Sequence, residues 1–171
     1  MKTKRLSIRK FTEEDWQDLF DYLSKEEVVE FEPYDVLSVE ECKKEAIRRS
    51  QDDSFWAVCI AETNKLIGNI YLASQEFDTW ELGYVFNPEF QGKGYATEAA
   101  LALIEYAFKE KHAHRVFARC NPLNVSSWQL LERLGLRREG HLRQNIWFKK
   151  DGQGKPIWVD TFEYAILASE Y

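Results

Sequence analysis

Residues 87–110 read NPEFQGKGYATEAALALIEYAFKE, and the fold turns on what the two glycines are for. Gly92 and Gly94 stand two apart with Lys93 between them, directly before an alanine- and leucine-rich run. Glycine loses more backbone entropy on ordering than any other residue, so bare backbone here asks for a return. At a helix start the usual return is approach of unpaired N–H groups to an anion, helped by aligned peptide dipoles. The run itself is helical by period. Ala96, Ala99, Ala100, Leu103 and Ala107 fall at i, i+3, i+4, i+7 and i+11, one face of a helix that can sit close to a sheet. Glu98, Glu105 and Lys109 lie off that face, the last two in the favourable i to i+4 order. For one Gly-x-Gly taken alone, a plain strand-to-helix turn is the competing reading.

Three anion-binding patterns compete for this stretch. A P-loop needs Gly-Lys followed by Ser or Thr, and Gly94 follows Lys93 instead. A dinucleotide fingerprint needs a third glycine where Thr97 stands, and an acid closing the next strand, which ends in Arg119-Cys120-Asn121. The pattern Q/R-x-x-G-x-G/A fits, with Gln91, Gly94 and Ala96 in place.

Working outward, the chain mixes strands and helices without repeats or linkers, as one domain over 1–171. Residues 5–11 alternate like a strand. Thr12 with Asp15, and Ser38 with Glu41, are helix-start signals, the first weakened by Asp where Glu or Gln is usual. Residues 26–37 between those helices read as irregular. Runs 55–62 and 66–74 form a hairpin through Thr63-Asn64-Lys65, and 80–86 leads straight into the glycine stretch. A strand at 114–121 and a helix at 126–135 follow, then strands at 141–150 and 156–168 around the turn Asp151–Gly154. This order predicts an α/β sheet with helices on both faces and an antiparallel start and finish.

Composition narrows the function. The chain is 44% hydrophobic, 30% charged and 15% aromatic, the balance of a soluble globular domain. No apolar run approaches the roughly 20 residues of a bilayer span, and the basic N-terminus lacks a signal-peptide core. Cys42, Cys59 and Cys120 have no disulfide or metal spacing, so a cytoplasmic protein with reduced thiols and no metal is expected. A net charge of -6 argues against nucleic acid and sits better with a cationic partner. The six tryptophans read mostly as core.

The motifs resemble the GCN5-related N-acetyltransferase (GNAT) family, and within it the RimJ/RimL branch of ribosomal-protein N-terminal acetyltransferases. WELGYVFNPEFQGKGYATEA (80–99) is similar to that branch's EIGY…NP…GKGYATEA pattern. HRVFARCNPLNVSSWQLLERLGLRREG (114–140) is similar to its HR…N..S…LEK.G…EG pattern. The resemblance covers nearly the whole chain, including element order. It implies a GNAT fold, a mixed, largely antiparallel sheet of about six to seven strands, and acetyl-CoA as acetyl donor. It also implies roles. Main-chain amides of Gly92, Lys93, Gly94, Tyr95 and Ala96 would hold the pyrophosphate while Gln91 shapes the loop. The backbone of Tyr84, Val85 and Phe86 would pair with the pantetheine arm. Asn124 and Ser127 would face pantetheine and thioester, Asn124 serving equally as a helix cap.

The transfer needs a base for the protonated amine and a donor for the departing thiolate. Glu81 aligns with the acid of the EIGY pattern and is the candidate base. Many family members carry a tyrosine seven residues after the asparagine; here that position is Leu131, which leaves Ser127 or water as donor. Cys120 has no base adjacent in sequence, which disfavours an acyl-cysteine route, and His112, His114 and His141 rank low. By analogy with the family, acceptor specificity lies between Phe31-Glu32-Pro33-Tyr34 and the final hairpin, with Trp147, Lys149, Lys150 and the flexible Gly152 and Gly154. Phe31, Tyr34 and Trp147 are the candidate acceptor-binding residues, with Glu32 or Asp35 attracting a cation. The acceptor expected is a peptide or protein N-terminal α-amine, with polyamines or amine antibiotics as runners-up. A non-catalytic acyl-CoA sensor is the opposing class. The protein is expected to be a monomer or homodimer, without a membrane or nucleic-acid partner.

Overall fold

The computed structural model describes every residue from Met1 to Tyr171. Its strands are β1 (Leu6–Arg9), β2 (Phe55–Ile60), β3 (Leu66–Ser74), β4 (Thr79–Phe86), β5 (Arg115–Cys120), β6 (Arg137–Lys150) and β7 (Pro156–Leu167). Its helices are α1 (Trp16–Leu23), α2 (Glu26–Val29), α3 (Val39–Ser50), α4 (Tyr95–Lys109) and α5 (Val125–Arg133), with 3-10 turns at Glu13–Asp15 and Pro88–Phe90. The strands form one seven-stranded sheet in the order β1-β2-β3-β4-β5-β7-β6. All neighbours are antiparallel except β4 and β5. The expected mixed, largely antiparallel sheet is borne out. The β2–β3 hairpin turns at Asn64, whose left-handed φ of 58° asparagine tolerates.

Two cores clothe the sheet, one on each face. On one side α1 and α3 close Leu19, Tyr22, Leu23, Cys42 and Ala46 over Ala57, Cys59 and Leu66. On the other, α4 and α5 pack on Val58, Ile67, Ile70, Leu72 and Leu82. The periodic face of α4 is the buried one: Ala99, Ala100, Leu103 and Ala107 are fully enclosed, joined by Ile104. Ala96 is only half-buried because it stands at the mouth of the helix.

Both helix-start signals are real. The Ser38 hydroxyl accepts from the Glu41 N–H, and the Glu41 carboxylate accepts from the Ser38 N–H at 2.8 Å. Asp15 accepts from the Thr12 N–H at 2.8 Å and also takes both arms of the Arg9 guanidinium at 2.7 Å. With Asp15 only 7% exposed, this fork pins the start of α1 to β1.

Some expectations fail for physical reasons. Residues 26–37 are not wholly irregular, since α2 occupies the first turn of that span. Strand β6 begins at Arg137, ahead of His141, because antiparallel pairing with β7 extends that far. The tryptophans are not mostly core. Trp16, Trp56, Trp80 and Trp128 only lean on the cores, while Trp147 and Trp158 are 39% and 51% exposed. These last two face each other across a hairpin whose far half pairs with nothing else, because β5 reaches β7 only from Phe162 onward.

Asp15→Ala leaves a half-buried guanidinium unpaired and uncaps the first turn, so it should lower unfolding stability by about 2 kcal/mol. Urea denaturation should show this loss, with ligand affinity at the remote glycine loop unchanged.

Candidate active site

Strands β4 and β5 pair only where Thr79–Glu81 meets Arg115–Phe117. Beyond Glu81 and Phe117 they part. β4 stays zipped to β3 as far as Phe86, opposite Gly68, and β5 to β7 as far as Cys120, opposite Phe162. Each strand therefore carries an unpaired edge into the space between them. Enclosed backbone N–H and C=O groups need partners, so such an edge suits a ligand that supplies them. The opening runs into a cleft of about 1920 Å³, well above the roughly 300–1,000 Å³ of ordinary small-molecule sites. That size has room for more than one small molecule. Tyr84, Val85 and Phe86 line the parted edge.

At one end of the cleft the chain leaves β4 through Asn87, which is 1% exposed and accepts from the Glu89 N–H at 3.1 Å. The 3-10 turn delivers Gln91, then Gly92 and Gly94 at φ of 72° and 77°. Those left-handed angles are what the glycines are for. A side chain on Gly92 would meet nothing within 4 Å, so backbone conformation and not crowding sets the requirement. Gly94 is the N-cap of α4, and Gln91, Gly92, Gly94, Tyr95 and Ala96 all line the cleft. Lys93 does not: its ammonium reaches back to the Glu89 carbonyl at 3.4 Å, over the Phe90 ring.

Sequence reasoning missed Arg5, the brace of this loop. Its guanidinium donates to the Lys93 carbonyl at 2.8 Å and to Glu98 at 2.7 Å, and lies 4.6 Å from the Tyr95 ring centre. Thr3 adds a 2.6 Å bond to Glu98. Against its partial burial, these hydrogen bonds hold the Glu98 carboxyl below its usual range. No local pattern could have found Arg5, which is 88 residues from Lys93.

In the middle, Asn124 caps α5, accepting from the Ser127 N–H at 3.2 Å and the Ser126 hydroxyl at 2.9 Å. The Tyr84 hydroxyl crosses from β4 to lie 2.8 Å from the Ser127 carbonyl and 3.0 Å from its Oγ. Leu131 is fully enclosed in the core. Burial pushes the Cys120 thiol up to about 11, with the Ser127 side chain pulling it back, so it is a poor nucleophile at neutral pH.

The other end gathers Phe31, Glu32 and Tyr34 with Phe55, Tyr71 and Glu81. Gln75 donates to Glu81 at 3.3 Å, and the Phe55 and Tyr71 rings meet at a tilt of 58° with centres 5.1 Å apart. Beneath them Arg49, 3% exposed, donates to Glu45 at 2.7 Å. Desolvation pushes the Glu32 carboxyl up to about 7, with Tyr34 and Arg49 pulling it back. The final hairpin closes this end, but through Leu142, Ile146 and Phe148. Trp147 does not reach the cleft; it lies opposite Trp158 with the Lys150 ammonium 5.4 Å from its ring. Lys149 bridges to Asp35 at 3.6 Å, tying the hairpin to the Phe31–Tyr34 segment. His112 and His114 are exposed away from the cleft, and His141 bonds Asp160 at 2.7 Å.

No group of three or more His, Cys, Asp or Glu side chains is placed to hold a metal ion, and no helix is long and apolar enough to cross a membrane.

The family model described as "Acetyltransferase (GNAT) domain" matches residues 5–137. The chain is 39% identical to the uncharacterized N-acetyltransferase YnaD of Bacillus subtilis, over 99% of this chain and 97% of that one. It is also 39% identical to the [ribosomal protein uS5]-alanine N-acetyltransferase of Escherichia coli, over 56% of this chain and 46% of that one. The crystal structure of a GNAT-family acetyltransferase from Bacillus anthracis superposes with a TM-score of 0.91 at 35% identity, covering 99% of both chains. The spermidine N-acetyltransferase of Vibrio cholerae, solved with CoA and spermine, superposes with a TM-score of 0.80 at 21% identity, covering 99% of both.

Glu32 carries a pH signature. Its carboxyl titrates at about 7 in the fold, against about 4.3 unfolded, so the folded state binds the proton more tightly. It therefore lowers stability progressively as pH rises from about 4.3 through about 7. Glu32→Gln should raise the melting temperature relative to wild type at about pH 8, and the gain should vanish below about pH 4.5. Thermal unfolding across that range checks the sign.

Proposed function

This chain belongs to the GNAT acetyltransferase family, and on that premise we propose that it moves acetyl from acetyl-CoA directly to the α-amine of a peptide or protein N-terminus. The observation that carries the donor half is the unpaired stretch of β4 running into a glycine loop at the N-terminus of α4. A pantetheine arm supplies the missing strand partner, and a pyrophosphate supplies the negative charge that the loop amides and helix dipole favour. In this reading the Gly92–Ala96 amides hold the diphosphate, and Lys93 contributes its amide only. Asn124 and Ser127 lie beside the thioester. The whole chain acts as one acetyltransferase domain, in the cytoplasm.

The acceptor half rests on the opposite end of the cleft. Phe31 and Tyr34, with Phe148 in place of Trp147, make an aromatic wall for the residue bearing the amine. Glu81 takes the proton. An α-amine has a pKa near 8 against about 10.4 for a lysine side chain, so a single carboxylate deprotonates it more readily. The resemblance to a [ribosomal protein uS5]-alanine N-acetyltransferase supports this choice. The polyamine reading draws on a different observation: Glu27, Glu30 and Glu32 line the acceptor end. A panel of Nα-free peptides, Nα-blocked lysine peptides and polyamines, read by CoA release, separates these. Turnover of a blocked lysine peptide or a polyamine with none on free N-termini would sink the N-terminal reading.

Two variants test the machinery. Gly94→Glu puts a carboxylate at the phosphate site, so calorimetry should detect no acetyl-CoA binding by a variant with native circular dichroism. Glu81→Gln should lower kcat roughly 10²-fold at neutral pH, with acetyl-CoA affinity kept and the deficit shrinking as pH rises. Wild-type kcat at neutral pH would transfer the role to water or another group.

A further inference from the structure

Leu131, one helical turn beyond Ser127, is fully enclosed and has no proton to give. We propose that Tyr84, reaching across the cleft from β4, positions the Ser127 hydroxyl as hydrogen-bond donor to the departing CoA sulfur. The inference rests on the acetyl-transfer reading above and goes beyond it by assigning a task to a side chain whose backbone alone was accounted for.

Hydrogen-bond inventory supports it. The Tyr84 Oη lies 2.8 Å from the Ser127 carbonyl, which only accepts, so the phenol donates there. The 3.0 Å contact between Tyr84 Oη and Ser127 Oγ is then left to the serine proton. With its N–H given to Asn124 Oδ1 at 3.2 Å, Ser127 is fixed at amide, carbonyl and hydroxyl. Tyr84 and Ser127 both line the cleft into which the gap between β4 and β5 opens. Burial raises the Tyr84 phenol above its ordinary value, so it stays protonated at working pH, donating to the Ser127 carbonyl while its oxygen accepts from the Ser127 hydroxyl.

The step balances without an oxidant. The amine nitrogen forms the new C–N bond, its proton leaves to Glu81 or water, and the C–S electron pair goes to sulfur. The Ser127 O–H turns from Tyr84 towards that sulfur, and the Tyr84 O–H turns from the carbonyl to Ser127 Oγ. Each oxygen keeps its own proton. Full transfer from a phenol of pKa above about 10 to a thiolate of about 8.5 runs uphill, which is why donation is the assigned role.

A simple brace between strand and helix would give the same two distances, so the test must read the leaving group. Tyr84→Phe keeps the ring and removes the hydroxyl. The probes are acetyl thioesters of a pantetheine-like thiol series of graded acidity, with an amine that wild type accepts. Tyr84→Phe should lower kcat at least about 10-fold with little change in the KM for acetyl-CoA, and should steepen the dependence of rate on thiol pKa. Ser127→Ala should steepen it likewise, and the double variant should be no worse than the worse single one. That slope is measured within one variant, so a partly unfolded preparation leaves it unchanged. An unaltered slope, or additive losses, overturns the proposal while acetyl transfer stands. No CoA release by wild type with any amine overturns the underlying reading and this proposal with it.

Discussion

The separation of β4 from β5 is the constraint on which the rest of the molecule depends. A sheet gains by completing its ladder, and leaving strand edges unpaired is tolerable only if the strands cannot close. Here each is held from its far side, β4 by β3 to Phe86 and β5 by β7 to Cys120. β4 and β5 are also the parallel pair, and a parallel neighbour requires a crossover, which α4 supplies. The crossover puts the N-terminus of a helix at the end of β4 where the strands have parted. One topological fact thus creates both the unpaired edge and the anion-favouring loop beside it, in keeping with ligands lying at the carboxyl ends of parallel strands.

That loop carries an electrostatic conflict that the fold resolves. Glu98 lies in the first turn of α4, where a carboxylate suits the helix dipole but repels an incoming anion. Arg5 takes the carboxylate with its backbone N–H and its Nε, and holds the Lys93 carbonyl with Nη1. The guanidinium is 42% exposed, so the pair contributes little to stability. Its value is geometric. The first strand of the chain neutralises the acid and fixes the loop main chain, leaving the loop amides without a competing charge.

Much of this was legible in sequence, for identifiable reasons. The alanine period of α4, the boxes at Thr12 and Ser38, and the glycine spacing are local signals whose physics acts within a turn or two. Gly92 and Gly94 could be read because left-handed backbone restricts residue choice at the position itself. What escaped depends on long-range placement. Arg5 meets the loop only after the sheet forms. Trp147 was assigned to the cleft by analogy with the family's final hairpin, yet Ile146 and Phe148 face it. Register slips between Leu142 and Ile146, and between Trp147 and Lys150, break the alternation that would have given the phase.

Leu131 and Tyr84 show the same limit at the centre of the site. Along α5, Asn124, Ser127 and Leu131 fall on one face, so sequence invites the missing donor to be sought at the next turn. Leu131 instead fills the core with Leu130 and Leu134, and a polar group there would lie unpartnered among apolar neighbours. The hydroxyl that does reach Ser127 comes from the facing strand, 43 residues earlier. What the chemistry fixes is a point in the cleft, and any element bordering that point can supply the group. β4 is well placed to do so, because parting from β5 frees the space through which the Tyr84 ring crosses to α5. The parting that leaves the β4 edge unpaired is therefore also what lets a strand side chain reach the helix and hydrogen-bond its serine.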